Sequence, residues 1–136
     1  MKINPILAST NCKKNNNIHF KKLEINDEEI NYIAENVTNP NEIAQICQYG
    51  DELQRCENLN FKFGTYAYGL TVRANRTDEA EPFATMHEHK HQSVKNIFQK
   101  CSRFCEEIGV FKDTNNDVDE VDGEKFSDRL KRAISQ

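Results

Sequence analysis

The stretch NFKFGTYAYGLTVRA, residues Asn60 to Ala74, is the most strand-like of the chain, and the placing of its large side chains decides how everything else must pack. Successive residues of a strand face opposite sides of a sheet. Phe61 and Phe63 occupy odd positions, whereas Tyr66, Tyr68, Leu70 and Val72 occupy even ones, so the alternation changes phase partway along. One extra residue repairs it. A β-bulge at Gly64-Thr65 would bring all six side chains onto one face of a single strand over 61–73, and glycine is the residue that bulges most readily use. The opposite face is then small, with Ala67, Gly69 and Thr71. A strand needs a partner, and the nearest is 83–91, antiparallel and joined by the polar loop NRTDEAEP. The aromatics invite comparison with RNA-binding strands, but the glycine pattern of those strands is absent and packing in a core accounts for the rings.

Helical signals flank this stretch. Asn26 opens a helix in which Glu29 is placed to return the capping-box bond, and Ile30, Ile33 and Val37 share one face. Asn39-Pro40 starts a second helix, since proline suits the first helical position; Ile43, Ile46, Cys47 and Leu53 form its stripe, and Gly50 marks a point where it would break. Ser93 caps a long amphipathic helix bearing Val94, Ile97, Phe98, Cys101, Phe104, Cys105 and Ile108 at intervals of three and four. A short final helix turns Phe126, Leu130, Ala133 and Ile134 inward. These patterns predict an α+β fold: a small antiparallel sheet with its central strand near 61–73, packed on about four helices near 27–37, 40–57, 93–111 and 125–134. Residues 18–25 could add a short strand.

A chain of 136 residues has room for one domain and one modest core. Residues 1–17, with Lys2, Lys13 and Lys14 and no acid, read as a flexible basic arm, and 18–136 as a single α+β domain. With 18 basic and 22 acidic side chains the net charge is -4, which argues against a protein built to neutralise nucleic-acid phosphates. The opening MKINPILAST lacks an apolar run of signal-peptide length, and nothing in the sequence could span a bilayer as a helix. Five cysteines (Cys12, Cys47, Cys56, Cys101, Cys105) are an odd number without the density of a disulfide framework. A cytoplasmic protein with free thiols is the expectation.

Two stretches carry chemistry. TMHEHKHQSV, Thr85 to Val94, contains His87-Glu88-x-x-His91, the spelling of the zinc-protease motif H-E-x-x-H. That chemistry requires a helix, with both histidines on one face and the glutamate activating the metal's water. An extended segment would instead project His87, His89 and His91 from one face as a row of imidazoles, able to hold a metal or simply to solvate an edge strand. The pairing need of 61–73 favours the extended form. Third ligands for the helical form are poor: Glu106, Glu107, Cys101 and Cys105 are the downstream choices, and both cysteines sit in an apolar stripe. The second stretch, DTNNDVDEVDGE, has the outline of a calcium loop, with Asp113, Asn115 and Asp117 at positions one, three and five, Asp119 at seven and Glu124 at twelve. Val118 stands where such a loop needs glycine and Glu120 where it needs an apolar residue, so any calcium binding is expected to be weak. No cofactor is implied. The leading functional expectation is a small cytosolic binding or regulatory protein acting through a protein partner rather than nucleic acid or membrane, with the question of enzymatic activity left open. A metal-dependent hydrolase using His87, Glu88 and His91 and a weak calcium module over 113–124 are the alternatives.

Overall fold

A computed structural model describes residues 23–111 and 124–136. The elements run β1 (Leu23–Glu24), α1 (Asp27–Asn36), α2 (Pro40–Arg55), β2 (Leu59–Tyr66), β3 (Gly69–Arg76), β4 (Ala84–His87), α3 (Val94–Ile108) and α4 (Phe126–Ile134). The four strands lie in the order β1-β2-β3-β4, with β1 parallel to β2 and the remaining pairs antiparallel. This is an α+β fold with four helices among the described residues. The predicted arm, residues 1–17, lies outside them, as do residues 18–22 of the predicted first strand.

The single bulged strand over 61–73 is corrected to a hairpin. β2 and β3 are two antiparallel strands joined by a tight turn at Ala67-Tyr68, in register Phe61↔Ala74, Phe63↔Val72 and Thr65↔Leu70. Each odd-numbered residue therefore pairs with an even-numbered one, and directly opposed residues share a face. The phase change that suggested a bulge is the arithmetic of a chain reversal. Phe61, Phe63, Leu70 and Val72 do share one buried face, but Tyr66 and Tyr68 are 38 % and 82 % exposed and do not join them. β4 supplies the antiparallel partner expected from 83–91, with Met86 opposite Val72. It ends at His87.

One face of the sheet packs on the helices, and the other, carrying Lys62, Arg73, Thr85 and His87, is exposed. Helix ends fall where local chemistry puts them. The Asn26 amide donates to Glu29 Oε1 at 2.8 Å, Asn39 Oδ1 accepts from Asn41 N at 2.8 Å, and Ser93 Oγ accepts from Asn96 N at 3.2 Å. Ile30, Ile33, Ile46, Leu53, Ile97 and Leu130 are buried as their spacing predicts. Ile134 is 41 % exposed and is not inward, because the short α4 docks through Phe126, Leu130 and, partly buried, Ala133. Nor does Gly50 interrupt α2. It is buried in mid-helix, where the absence of a Cβ makes room for the Phe126 ring.

The core is organised by an aromatic series running from sheet to helix. Phe63 stacks on Phe98 of α3 with ring centroids 4.9 Å apart, and Phe98 meets Phe126 of α4 at 5.3 Å. α4 receives no side-chain cap from its own N-cap residue, Lys125. Its first amides are satisfied by α2 instead: Phe126 N donates to Gln54 Oε1 at 2.9 Å and Ser127 N to Asp51 Oδ1 at 3.0 Å. Gln54 also donates to the Glu124 carbonyl at 3.3 Å, so this buried amide is paired at both ends.

Candidate functional site

The β2–β3 turn leaves two tyrosines at the surface, and the return of β4 brings the histidine stretch beside them. Gly69, the first residue after the turn, has φ +137°, a conformation that side chains of L-residues rarely adopt. The Glu88 carboxylate lies over it. Glu88 Oε1 accepts from Tyr32 Oη of α1 at 2.7 Å and from Leu70 N at 3.0 Å, while the Glu88 carbonyl accepts from Tyr66 Oη at 2.8 Å. Glu88 N donates to the Leu70 carbonyl at 2.8 Å. This one residue ties α1, β3 and the end of β2 together, and its carboxylate is engaged by Tyr32 and the Leu70 amide.

Those histidines are divided between two environments. His87 closes β4, with its ring 5.3 Å from that of Tyr66 and its Nδ1 2.8 Å from Thr71 Oγ1. Thr71 Oγ1 also lies 3.1 Å from the Met86 carbonyl, so the hydroxyl sits between this carbonyl and the imidazole. His89 to Gln92 form a tight turn closed by two backbone bonds, His89 N to Gln92 O at 3.1 Å and Gln92 N to His89 O at 2.9 Å. Within it His91 N donates to His89 Nδ1 at 3.1 Å, and the two rings lie 6.4 Å apart. The structure thus brings His89 and His91 together and leaves His87 on the strand. The three do not form the single row expected of an extended 87–91, because the strand gives way to a turn. Nor is 87–91 helical, so the one-face geometry that H-E-x-x-H chemistry needs is not formed. Among the described residues no three His, Cys, Asp or Glu side chains come together as a metal-holding group.

Of the calcium-loop residues, Asp113, Asn115, Asp117 and Asp119 lie outside the described residues. Glu124 is described, and its carboxylate is paired with Arg132 of α4. Cys101 and Cys105 are fully buried in α3, as their place in the apolar stripe predicted.

What the turn does assemble is an open recess lined by Tyr66, Tyr68, Glu88, His89 and Lys90. The two tyrosine rings meet edge to face, with centroids 5.8 Å apart. Tyr68 projects almost fully into solvent. The recess offers flat apolar faces, a phenol hydroxyl, an imidazole and an ammonium group, and it lies at the end of β4, which pairs with β3 alone among the described residues. Sequence reasoning assigned Tyr66 and Tyr68 to the core. The signal that could have found them was Ala67-Tyr68-Gly69 standing between two alternating apolar runs. No protein-family model matches this chain, and no curated protein or solved structure does either.

Tyr32 reports on the Glu88 junction. Burial, followed by the hydrogen bond and charge of Glu88, pushes the Tyr32 phenol from its ordinary value of 10.0 up to about 12. A raised folded-state pKa contributes stability that is present below the unfolded value and is lost as pH climbs through the folded one. The expected window of loss is therefore pH 10 to 12. Chemical denaturation across that range should show a steeper fall for the wild type than for Tyr32→Phe, whose phenol cannot titrate. Parallel curves would mean that Tyr32 is not held by Glu88.

Proposed function

We propose that this chain is a binding module that takes an extended segment of a protein partner along the outer edge of β4, with the tyrosines at the neighbouring turn gripping its side chains. The observation that carries this reading is Tyr68, a large aromatic 82 % exposed at a hairpin tip where it adds little to the core. Tyrosine is enriched at interfaces because it offers a large rigid contact area and one polar end at small entropic cost. A strand bonded on one side presents backbone groups to an added strand, and alternate side chains of that strand then reach adjacent pockets. Here the Gln92 side chain already donates to the His87 carbonyl at 2.7 Å, so among the described residues the open edge runs from Ala84 to Met86. No helix among the described residues is long and apolar enough to cross a membrane.

The test is selection of random displayed peptides on the wild-type chain, with Tyr68→Ala as the counter-selection. Peptides should be recovered that bind Tyr68→Ala about ten- to a hundredfold more weakly, a loss of roughly 1.5–3 kcal/mol. The thermal stability of Tyr68→Ala should be nearly unchanged, as for exposed positions generally. Amide resonances perturbed by such a peptide should map to 66–69 and 84–88. Equal binding by both chains, or shifts confined to another face, would end the proposal.

A further inference from the structure

The contact between α2 and α3 brings two thiols together. Cys56 follows the last residue of α2 and Cys105 lies in the last turn of α3, and neither reaches solvent. A Cβ added at Gly109 would stand 2.7 Å from Cys56 Sγ and 2.9 Å from Cys105 Cα, so these two atoms are separated by no more than the sum of those distances. Both residues therefore border the small space beside Gly109. Gly109 allows the approach, because any larger residue would occupy the space that the Cys56 sulfur fills.

A strap of backbone closes over the pair. Cys56 bridges to Phe111, Glu57 N donates to the Val110 carbonyl at 2.6 Å, and Asn58 holds the strap from both ends, donating from Nδ2 to the Ile108 carbonyl at 2.9 Å and accepting from Val110 N at 2.8 Å. Asn58 Oδ1 also faces Cys56 Sγ at 3.5 Å. The strap's own apolar side chains, Val110 and Phe111, are exposed, so little buried surface holds it down. The two thiols are unequal. Cys105, with the backbone amides of Asn58, Val110 and Leu59, holds the Cys56 thiol below its ordinary value, whereas the Cys56 contact and burial raise that of Cys105.

We propose that Cys56 and Cys105 form a reversible intrachain disulfide, made by a small hydroperoxide that enters when the 109–111 strap opens, with Cys56 as the nucleophile and Cys105 as the resolving thiol. The Cys56 sulfur attacks the peroxide oxygen; a sulfur–oxygen bond forms, the oxygen–oxygen bond breaks, and the leaving oxygen takes the proton given up by Cys56. Cys105 then attacks the sulfenic sulfur, forming the disulfide and breaking the sulfur–oxygen bond, and the hydroxide leaves as water with the Cys105 proton. Two thiols and one hydroperoxide give one disulfide, one water and one alcohol, or a second water when the oxidant is hydrogen peroxide. A dithiol reverses it. The bond would tie the end of α2 to the end of α3 and leave Cys47 and Cys101 as buried thiols.

The experiment treats the reduced full-length chain with equimolar hydrogen peroxide, alkylates the remaining thiols after unfolding, and maps the unreduced peptides by mass. A Cys56–Cys105 linked peptide should dominate, Cys47 and Cys101 should be recovered alkylated, and the melting temperature should rise by about 5 °C and return with dithiothreitol. In Cys105→Ser, Cys56 should accumulate as a sulfenic acid that a 1,3-dione labels. Linkage of Cys56 to Cys101 or Cys12, oxidation of Cys47 in preference, or a linked pair that appears only in denaturant would overturn the proposal. The wild-type peptide map decides these outcomes even where Cys105→Ser does not fold.

Discussion

Alanine at position 50 should destabilise the wild-type chain by about 3 kcal/mol, yet stabilise a chain that already carries Phe126→Ala by up to about 1 kcal/mol. A Cβ at Gly50 would stand 2.1 Å from Cδ2 of Phe126 and 2.6 Å from both Cγ and Cε2, inside any real contact distance. The ring cannot simply step aside. It is fully buried against Phe98, and the start of α4 is pinned to α2 by the bonds from Phe126 N to Gln54 and from Ser127 N to Asp51. Relief requires α4 to lift, which surrenders part of the roughly 3–5 kcal/mol that truncating a buried phenylalanine costs. Where Phe126 is already alanine the clash has no partner, and only the intrinsic preference of a helix interior for alanine over glycine remains. Urea denaturation of the wild type, both single variants and the double variant gives the coupling directly. An equal cost of Gly50→Ala in both backgrounds would show that Gly50 acts through its backbone and not through the space it leaves for Phe126. Phe126→Leu serves as a milder background if the alanine chain is too unstable to measure.

Three helix starts were legible because capping is settled within a few residues: Asn26 with Glu29, Asn39 before Pro40, and Ser93 each carry their partners in the adjacent turn, whereas α2 and α3 end at Arg55 and Ile108, short of the expected 57 and 111. The cap of α4 was not legible, since Asp51 and Gln54 that supply it stand more than a helix and a sheet earlier in the chain. The hairpin escaped for a different reason. A phase change in an alternating run is produced equally by one inserted residue and by a reversal, and Ala67-Tyr68 has none of the Asn-Gly or Asp-Gly chemistry that announces a tight turn. What makes the turn work is Gly69 beneath the Glu88 carboxylate, a contact with a residue that follows only after β3, a loop and β4. The candidate site was missed with it, because the exposure of Tyr66 and Tyr68 is a consequence of the reversal. The histidine spelling misled in the opposite direction: its residues are adjacent in sequence, but whether they form a helix is decided by the pairing of Met86 with Val72.

Gly69→Ala should cost about 3 kcal/mol, and unlike the exchange at position 50 it should remain destabilising when its clashing neighbour is removed. Two separate penalties meet here. The Cβ would stand 2.3 Å from Glu88 Oε1 and 3.0 Å from Tyr32 Oη, and φ of +137° is strained for any L side chain whatever surrounds it. In a Glu88→Ala background the first penalty disappears and a backbone cost of roughly 1–3 kcal/mol persists. Glu88→Ala is itself expected to destabilise by about 1.5–3 kcal/mol, because the carboxylate accepts from both Tyr32 Oη and Leu70 N. Denaturation of the four chains separates the two penalties: a residual cost near zero would mean that φ relaxes and that the glycine is needed only for clearance. The same series bears on the recess. Glu88 is both the residue that forbids a Cβ at position 69 and part of the wall on which a bound segment would rest, so a displacement of Glu88 that carries its backbone along moves the carbonyl to which Tyr66 Oη donates. Peptides selected on the wild type should therefore bind Gly69→Ala more weakly even under conditions where that chain is fully folded, and Tyr68→Ala should lose the same peptides without any loss of stability.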